Sequence, residues 1–322
     1  MATMRAIVLQ SAPAPPSALK IQDIPIPKPE KGQVLIQGVL EYHTRVGMAV
    51  GVTFPRVLGI EATGVVAECP GGEFEKGQQV CAMMDGMGRT FHGGYAEYTC
   101  VSARNVLAFK SSLPWSVLGG IPEMLQTAYG SLTVGCDGQA GQSILIRGGT
   151  SSVGMAAAIL AKQRGMTVYS TTRSEKKTAA LKKIGVDHVI IDDGKVAEKV
   201  RKLVPGGVDC AIELVGAPAI KDTLGAIKVK GTACFTGCLS DEWAIKDFAP
   251  NGFLPTGVRL TSYGGSAQDL PQKALQDFID AVESGSATVP IDKVYKMEQI
   301  ADAHQYMVDG HASGKIVVET GM

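Results

Sequence analysis

The strongest constraint on the fold of this chain is a regular alternation of apolar and amphipathic segments between residues 143 and 238. Five short apolar segments have the length and composition of buried strands: SILIRGG, MTVYSTT, HVIIDD, VDCAIEL and TACFTGC. The segments between them have the pattern of helices: VGMAAAILAKQRG, SEKKTAALKKIG, KVAEKVRKLVPGG and APAIKDTLGAIKVKG. Because neighbouring parallel strands need a crossover connection, this alternation predicts an α/β fold with a doubly wound parallel sheet.

The chain on either side of this region follows a different pattern. Before residue 115 come short β segments separated by Pro and Gly, which are typical of an all-β barrel or sandwich: MRAIVL, QVLIQGVL, ATGVVAEC, QQVCAMM and YAEYTCV. After residue 257 come the strand VRLTSYGG, two helices and a last strand, KIVVET. Because a lone strand must pair with an existing sheet, we expect residues 258–322 to complete a first domain of residues 1–115. Residues 116–257 then form the second domain.

Charge and hydropathy limit the possible partners. Lys and Arg together number 31, as do Asp and Glu, and this balance argues against a broad surface for nucleic acid or anionic membrane. No apolar run approaches the roughly 20 residues that cross a bilayer, and the N-terminus lacks a signal-peptide pattern. The seven cysteines are an odd number and widely scattered, which favours buried reduced thiols over disulfides, and the absence of any C-x-x-C pair argues against a zinc site built from four cysteines. We therefore expect a cytoplasmic protein that acts on a small molecule.

A glycine-rich turn, GGTSSVG, joins the first predicted strand of the second domain to its helix. Gly148 and Gly149 allow a tight turn, and Gly154 lets the helix pack closely on the strand. Free N–H groups at the helix start then favour a phosphate, although a purely structural turn is the alternative. Four further βα units around the turn favour a dinucleotide. The expected contacts are Gly149, Thr150, Ser151, Ser152 and Val153.

The end of the next strand distinguishes between the two nicotinamide dinucleotides. A site for NAD places Asp or Glu there, roughly 20 residues past the glycines, to hold the ribose hydroxyls. This sequence has Thr172 and Arg173 at that point, with Lys177 shortly after and no acid at the strand end. Arg173 can bind a phosphate through two N–H groups, whereas Lys176 is expected to be solvated surface. The sequence therefore predicts NADPH.

These features, in this order, are similar to those of the medium-chain dehydrogenase/reductase superfamily, within its zinc-independent quinone oxidoreductase-like branch. The resemblance covers nearly the whole chain and is carried by FPRVLGIEATGVV, HGGYAEY, EMLQTAYGSL, ILIRGGTSSVG, STTRSEKK, GVDHVIIDD and GKIVVET. It implies a GroES-like β-barrel catalytic domain and a Rossmann domain. It also implies hydride transfer to a quinone, an enone or a similar activated alkene, usually in a homodimer.

Two departures from the superfamily's pattern bear on the chemistry. Where zinc-dependent relatives have Gly-His-Glu, this chain has Gly59, Ile60 and Glu61, and residues 38–47 contain no cysteine, so we expect no zinc. The active-site loop of relatives usually carries Asn-Arg-Ser or Asn-Arg-Thr, and residues 38–45 lack that triplet. A specialised biosynthetic reductase is therefore one alternative, and an NADPH-binding sensor or structural protein with little turnover is another.

Reduction of an activated alkene needs a hydrogen-bond donor to the substrate carbonyl and a source for one proton. Tyr42 and His43 are the candidates for these roles, although Tyr42 packed on the barrel and His43 at the surface are the alternatives. Thr127 matches a position that contacts the nicotinamide in relatives, or else caps a helix. The other expected cofactor contacts follow predicted strands: Leu214, Val215 and Gly216, then Gly237 and Cys238, and finally Tyr263. For Cys238 the alternative is a packed thiol.

Overall fold

The computed structural model describes residues 2–39, 52–312 and 314–321. Its strands are β1 (Thr3–Leu9), β2 (Lys20–Pro25), β3 (Gln33–Val39), β4 (Arg56–Val57), β5 (Glu61–Glu68), β6 (Gln79–Met83), β7 (Tyr98–Ser102), β8 (Val106–Ala108), β9 (Ser143–Arg147), β10 (Thr167–Thr172), β11 (His188–Ile191), β12 (Val208–Glu213), β13 (Ile227–Phe235), β14 (Arg259–Ser262), β15 (Ile291–Lys296) and β16 (Lys315–Glu319). Its helices are α1 (Trp115–Leu118), α2 (Pro122–Gly130), α3 (Ser152–Gln163), α4 (Thr178–Lys183), α5 (Val196–Leu203), α6 (Ala217–Gly225), α7 (Pro250–Phe253), α8 (Gln272–Glu283) and α9 (Ile300–Val308). None of these helices is long and apolar enough to span a membrane.

The chain divides into two compact units, and the first of them is built from two separate segments. Unit 1 comprises Met1–Gln126 and Ser266–Met322, and unit 2 comprises Thr127–Gly265. The divisions therefore follow residues 126 and 265, whereas the sequence placed them after 115 and 257. The first division falls inside the continuous helix α2, so no linker composition marks it in the sequence.

Unit 1 contains antiparallel β sheets, as the short β segments at the start of the chain predict. One sheet has five strands in the order β7-β3-β5-β6-β8, and another has three in the order β2-β1-β4. Strand β16 pairs in parallel with β15, and both strands lie in unit 1 together with the N-terminal segment. Side chains of these tail strands pack with β1, because Ile7, Tyr295 and Ile316 belong to one buried apolar cluster.

Unit 2 holds a single six-stranded parallel sheet in the order β11-β10-β9-β12-β13-β14, which confirms the predicted α/β fold class. Strand β14 pairs with β13 in this sheet, so the assignment of residues 258–265 to the other domain is wrong. Strand β13 begins at Ile227, earlier than the sequence indicated. Lys228, Val229 and Lys230 are all exposed there, so the start of β13 lacks the apolar run by which the sequence identified the other strands.

Candidate functional site

The turn between β9 and α3 has the geometry of a phosphate-binding turn. Ser151 is the N-cap of α3, where its hydroxyl accepts the N–H of Gly154 at 3.1 Å and donates to the carbonyl of Gly148 at 2.8 Å. Gly148 has a φ of +84°, a left-handed conformation that favours glycine. The turn is therefore held by its own side chain and backbone before any ligand binds.

Two glycines of this turn are required by space. A Cβ on Gly149 would lie 1.8 Å from the Ser170 hydroxyl oxygen, and one on Gly154 would lie 2.5 Å from the Gly148 carbonyl oxygen. Both distances are far below any van der Waals contact, so larger residues would displace the turn or the strand beneath it. The glycine pattern in the sequence thus reflects the close approach of α3 and β10 to the turn.

The start of α3 keeps backbone donors available. The N–H groups of Thr150, Ser152 and Val153 have no hydrogen-bond acceptor among the residues that the structure describes. By contrast, Gly149 donates its N–H to the carbonyl of Thr171 at 3.1 Å. Gly149 therefore gives the turn space beside β10, and it offers no hydrogen-bond donor to a ligand. Three unused donors at the positive end of a 12-residue helix fit the diphosphate of a dinucleotide.

The end of β10 has the charge that the sequence predicts for a 2′-phosphate. Thr172 is buried, and its hydroxyl accepts the N–H of Ser174 at 3.2 Å, which fixes the chain as it leaves the strand. Arg173 and Lys177 follow as exposed side chains, and neither forms an ion pair within the described part of the chain. Asp192, the acid after the neighbouring strand β11, is bound to Arg147 instead. These cations are therefore available to a phosphate.

The loop after β12, which holds Leu214, Val215 and Gly216, uses its backbone N–H groups within the protein. Leu214 donates its N–H to the carbonyl of Arg147 at 3.1 Å, so this donor is used within the protein. Val215 and Gly216 both donate to the Oε1 atom of Glu213, at 2.6 and 3.2 Å. The backbone N–H groups of these three residues are therefore not available to a ligand.

A buried ionic network, which the sequence motifs do not predict, supports this edge of the sheet. The guanidinium of Arg147 donates to Asp192 at 2.9 Å, to Asp222 at 2.7 Å and to the Thr223 hydroxyl at 3.1 Å. Thr223 in turn donates to the Oε2 atom of Glu213, which is fully buried. Burial raises the pKa of Glu213, while the Thr223 hydrogen bond and the Arg147 charge oppose that shift. In the sequence, this network is indicated only by two charged residues that end apolar strand segments, Arg147 and Glu213.

A second cluster of predicted residues surrounds the end of α2. After α2 the chain continues as a π-helical turn over Ser131–Gly135, a feature that often marks functional sites. The Ser131 hydroxyl donates to the carbonyl of Thr127 at 2.6 Å and accepts from the Thr236 hydroxyl at 2.9 Å. A Cβ on Gly130 would lie 1.9 Å from the Tyr263 hydroxyl oxygen, so the tyrosine packs on this glycine. Unit 2 thus gathers Thr127 and Tyr263 beside the ends of β13 and β14.

Known proteins share this architecture. The alcohol dehydrogenase GroES-like domain matches residues 35–111, and the zinc-binding dehydrogenase family matches residues 184–318. The chain belongs to the medium-chain dehydrogenase/reductase superfamily, in its quinone oxidoreductase-like branch. The GroES-like and Rossmann domains implied by the resemblance are thereby confirmed.

Individual relatives of this dehydrogenase/reductase match over almost their full length. The quinone oxidoreductase of Pongo abelii is 28% identical over 94% of this chain and 94% of its own. The acryloyl-coenzyme A reductase of Sulfurisphaera tokodaii is 22% identical over 98% of this chain and 100% of its own. The solved quinone oxidoreductase of Coxiella burnetii has the same fold, with a TM-score of 0.82 at 24% identity over 99% of this chain and 100% of that chain. The chain is therefore an oxidoreductase that uses a nicotinamide cofactor.

Two predicted contacts at the end of β13 have internal partners in this dehydrogenase/reductase. Gly237 donates its N–H to the carbonyl of Glu213 at 3.1 Å. The Cys238 sulfur lies 3.9 Å from the Ser240 hydroxyl. Burial, with the nearby Asp241 carboxylate, raises the pKa of the Cys238 thiol, so the thiol stays protonated. These contacts favour the packed-thiol alternative for Cys238.

The predicted catalytic pair, Tyr42 and His43, lies outside the residues that the structure describes, so both roles stay predictions. At the position of the superfamily's zinc-binding histidine, Ile60 is buried, and the next residue, Glu61, binds Lys315 at 2.8 Å. Within residues 2–39, 52–312 and 314–321, no three His, Cys, Asp or Glu side chains are grouped to hold a metal.

Proposed function

We propose that this protein transfers hydride from NADPH to a quinone, an enone or a similar activated alkene, without zinc. The observation that carries the proposal is the pairing of two features in unit 2. The start of α3 leaves the N–H groups of Ser152 and Val153 available to a diphosphate. The end of β10 leaves Arg173 and Lys177 available to the 2′-phosphate that distinguishes NADPH from NADH.

The names of two relatives support the substrate class. One relative is the quinone oxidoreductase of Pongo abelii, and the other is the acryloyl-coenzyme A reductase of Sulfurisphaera tokodaii. Quinones and acryloyl thioesters share a carbon–carbon double bond conjugated to a carbonyl group. A hydride acceptor of this kind needs its carbonyl polarised rather than a metal-bound alkoxide, which agrees with Ile60 at the zinc-ligand position.

The proposed chemistry divides the work between the cofactor and the protein. Bound NADPH supplies the hydride for the β carbon of the substrate. The protein must then stabilise the negative charge that develops on the carbonyl oxygen and deliver a proton to the α carbon. Tyr42 and His43 are our candidates for these two tasks. In unit 2, Thr127 and Tyr263 are our candidates for orienting the nicotinamide. We propose that the protein works as a homodimer, as the resemblance implies.

A substrate panel tests the proposal directly. The purified chain should consume NADPH in the presence of quinones and enones, and much less NADH at equal concentrations. Tight NADPH binding without turnover on any acceptor would instead support a sensor or structural protein. Turnover confined to large apolar enones would support the specialised biosynthetic reductase, which the missing Asn-Arg-Ser/Thr triplet favours.

A further inference from the structure

A cavity of about 300 Å³ lies within unit 1, whereas the proposed nucleotide contacts belong to unit 2. Residues of both antiparallel sheets line it, from β1, β2 and β4 of one sheet and from β3 and β7 of the other. The loop before β7 adds Phe91, His92 and Gly93 to the wall. This volume is at the lower end of the range for small-molecule pockets, so the cavity fits a single small ligand.

The wall of the cavity is largely apolar. Met4 and Val57 are buried members of the apolar cluster around β1, and Ile24 packs against the same cluster. The core of unit 1 therefore holds this part of the wall in place. Pro27 and Phe91 add to the apolar lining. A wall of this kind suits the hydrocarbon body of a ligand.

The polar side chains in the wall offer hydrogen-bond donors, and His92 is the first of them. The N–H of Val57 donates to the Nδ1 atom of His92 at 3.2 Å. Burial, with the positive charge of Arg56, lowers the pKa of His92, so the ring is neutral at pH 7. A neutral ring that accepts at Nδ1 carries its hydrogen on Nε2, and that N–H is available to a ligand.

Gln33 and Lys28 provide further donors. The Oε1 atom of Gln33 accepts the Glu30 N–H at 2.9 Å and the Cys100 thiol at 3.6 Å. The amide nitrogen of Gln33 has no acceptor among the residues that the structure describes. Lys28 is exposed and forms no ion pair with any described residue. The lining therefore combines one cation with several neutral donors.

Thr99, on β7, has the hydroxyl that most needs a partner. The residue is only 4% exposed, and its buried Oγ1 atom makes no hydrogen bond within the described part of the chain. Buried hydroxyls normally have a partner, and one without a partner destabilises the fold. Because Thr99 lines the cavity, a ligand oxygen bound there would supply that partner.

The charges around the cavity favour an anion. Among the described residues that line it, none is Asp or Glu. Burial, with the charges of Glu30 and Glu68, raises the pKa of the Cys100 thiol to about 11, so this lining residue stays neutral. A lining with a cation, several donors and no carboxylate suits an oxyanion rather than a cation.

We propose that this cavity binds a small carboxylate with an apolar body, as a second ligand besides the nucleotide. Thr99 and His92 donate hydrogen bonds to the carboxylate, and Lys28 provides the opposite charge. The hydrocarbon body packs on Met4 and Val57. None of these residues is a proposed nucleotide contact or catalytic candidate, so the inference does not depend on the proposed function.

The pair 3-phenylpropanoate and 3-phenylpropanamide tests this site, because the two probes share one hydrocarbon body and differ in the anionic end group. In calorimetry with the full chain, the acid should bind with a Kd of about 1 mM or tighter, and the amide about fivefold more weakly or worse. Saturating NADP⁺ should leave the affinity for the acid unchanged. Equal affinities for the two probes, no binding of the acid, or its displacement by NADP⁺ would overturn the proposal.

A matched pair of variants tests the charge. Lys28→Met should weaken binding of 3-phenylpropanoate about fivefold or more and leave the amide nearly unaffected, because only the acid pairs with the ammonium group. Lys31→Met is the control, because Lys31 is also exposed but does not line the cavity. Its affinity for the acid should match that of the unmodified chain. No loss in Lys28→Met, or an equal loss in Lys31→Met, would contradict the site.

Thr99→Val tests the buried hydroxyl, since valine keeps the shape of the side chain and removes the oxygen. Binding of 3-phenylpropanoate should weaken about three- to tenfold as one hydrogen bond is lost. The melting temperature without ligand should stay the same or rise, because the hydroxyl has no partner within the described residues. A lower melting temperature, or an unchanged affinity for the acid, would contradict the role of Thr99 as a ligand donor.

Discussion

The turn after β9 and the loop after β12 lie at neighbouring strand ends of one sheet, yet they use their backbone differently. In the turn, the N–H groups of Ser152 and Val153 have no acceptor within the described residues, so they are available to a ligand. In the loop, the carboxylate of Glu213 accepts the N–H groups of Val215 and Gly216. A glycine at a strand end therefore does not by itself identify an anion-binding loop; the availability of the donors does.

The largest expected effect concerns the network that holds the loop in place. Arg147→Met leaves Asp192 and Asp222 without their buried cation, and we expect a loss of about 3–5 kcal/mol in the free energy of unfolding. Lys162→Met is the control, because its pair with Asp187 is about one-third exposed and should contribute roughly 0–1 kcal/mol. Chemical denaturation measures both. Similar losses of unfolding free energy in the two variants would contradict the expectation that burial makes the Arg147 network contribute more to stability than an exposed ion pair.

A second prediction separates the proposed catalytic role of Tyr42 from cofactor binding. Tyr42→Phe keeps the ring but removes the hydroxyl, and turnover should fall about 10²-fold if that hydroxyl stabilises the developing oxyanion. NADPH affinity should stay unchanged, because the predicted diphosphate contacts are all at the start of α3. Steady-state turnover, a binding titration and the melting temperature distinguish the outcomes. Intact turnover with a lower melting temperature would make Tyr42 a packing residue and leave His43 as the candidate.

The contrast between the two strand ends can be tested at their glycines. Gly154→Ala places a Cβ against the Gly148 carbonyl, which should shift the turn and weaken NADPH binding roughly tenfold or more. Gly216→Ala forces alanine into a φ of +118°, which should cost about 1–3 kcal/mol of stability. Its NADPH affinity, measured at a temperature where the variant is folded, should change little. If Gly216→Ala weakens binding as much as Gly154→Ala, the loop binds the nucleotide through its backbone after all.

Arg173→Ala should have a smaller but more selective effect. NADPH binding should weaken by about tenfold, or 1.4 kcal/mol, because a phosphate contact is lost. NADH binding should stay nearly unchanged. Lys176→Ala is the control, because Lys176 is another exposed cation and lies four residues after the end of β10. Parallel fluorescence titrations with both nucleotides measure the selectivity. Equal affinity of the unmodified chain for NADPH and NADH would contradict the role of Arg173 and Lys177.

The smallest expected effect is none at all. Because Ile60 cannot bind a metal and Glu61 is engaged by Lys315, prolonged treatment with a strong chelator should leave turnover and melting temperature unaltered. Elemental analysis of the purified protein provides an independent measurement. Stoichiometric zinc would contradict the zinc-independent mechanism and direct attention to ligands in residues 40–51.

Local patterns in the sequence were sufficient for the α/β class, for the glycine-rich turn and for the cations after β10. These features depend on residues close in the chain: the alternation of strands and helices, the Ser151 cap and the spacing of Gly149 from Gly154. The start of β13 was misplaced because Lys228, Val229 and Lys230 are all exposed, so this part of the strand lacks the apolar run of a buried strand, and only its pairing with β12 defines it.

Contacts between distant parts of the chain were decided only by the tertiary structure. Arg147 forms hydrogen bonds with Asp192 and Asp222, which are 45 and 75 residues away in the chain, and no local pattern identifies these two acids as its partners. The sequence by itself determined which residues bear charge and where glycine permits a turn. Whether the backbone donors after β9 and β12 remain available was settled by packing, because a buried carboxylate such as Glu213 must find donors wherever the fold places them.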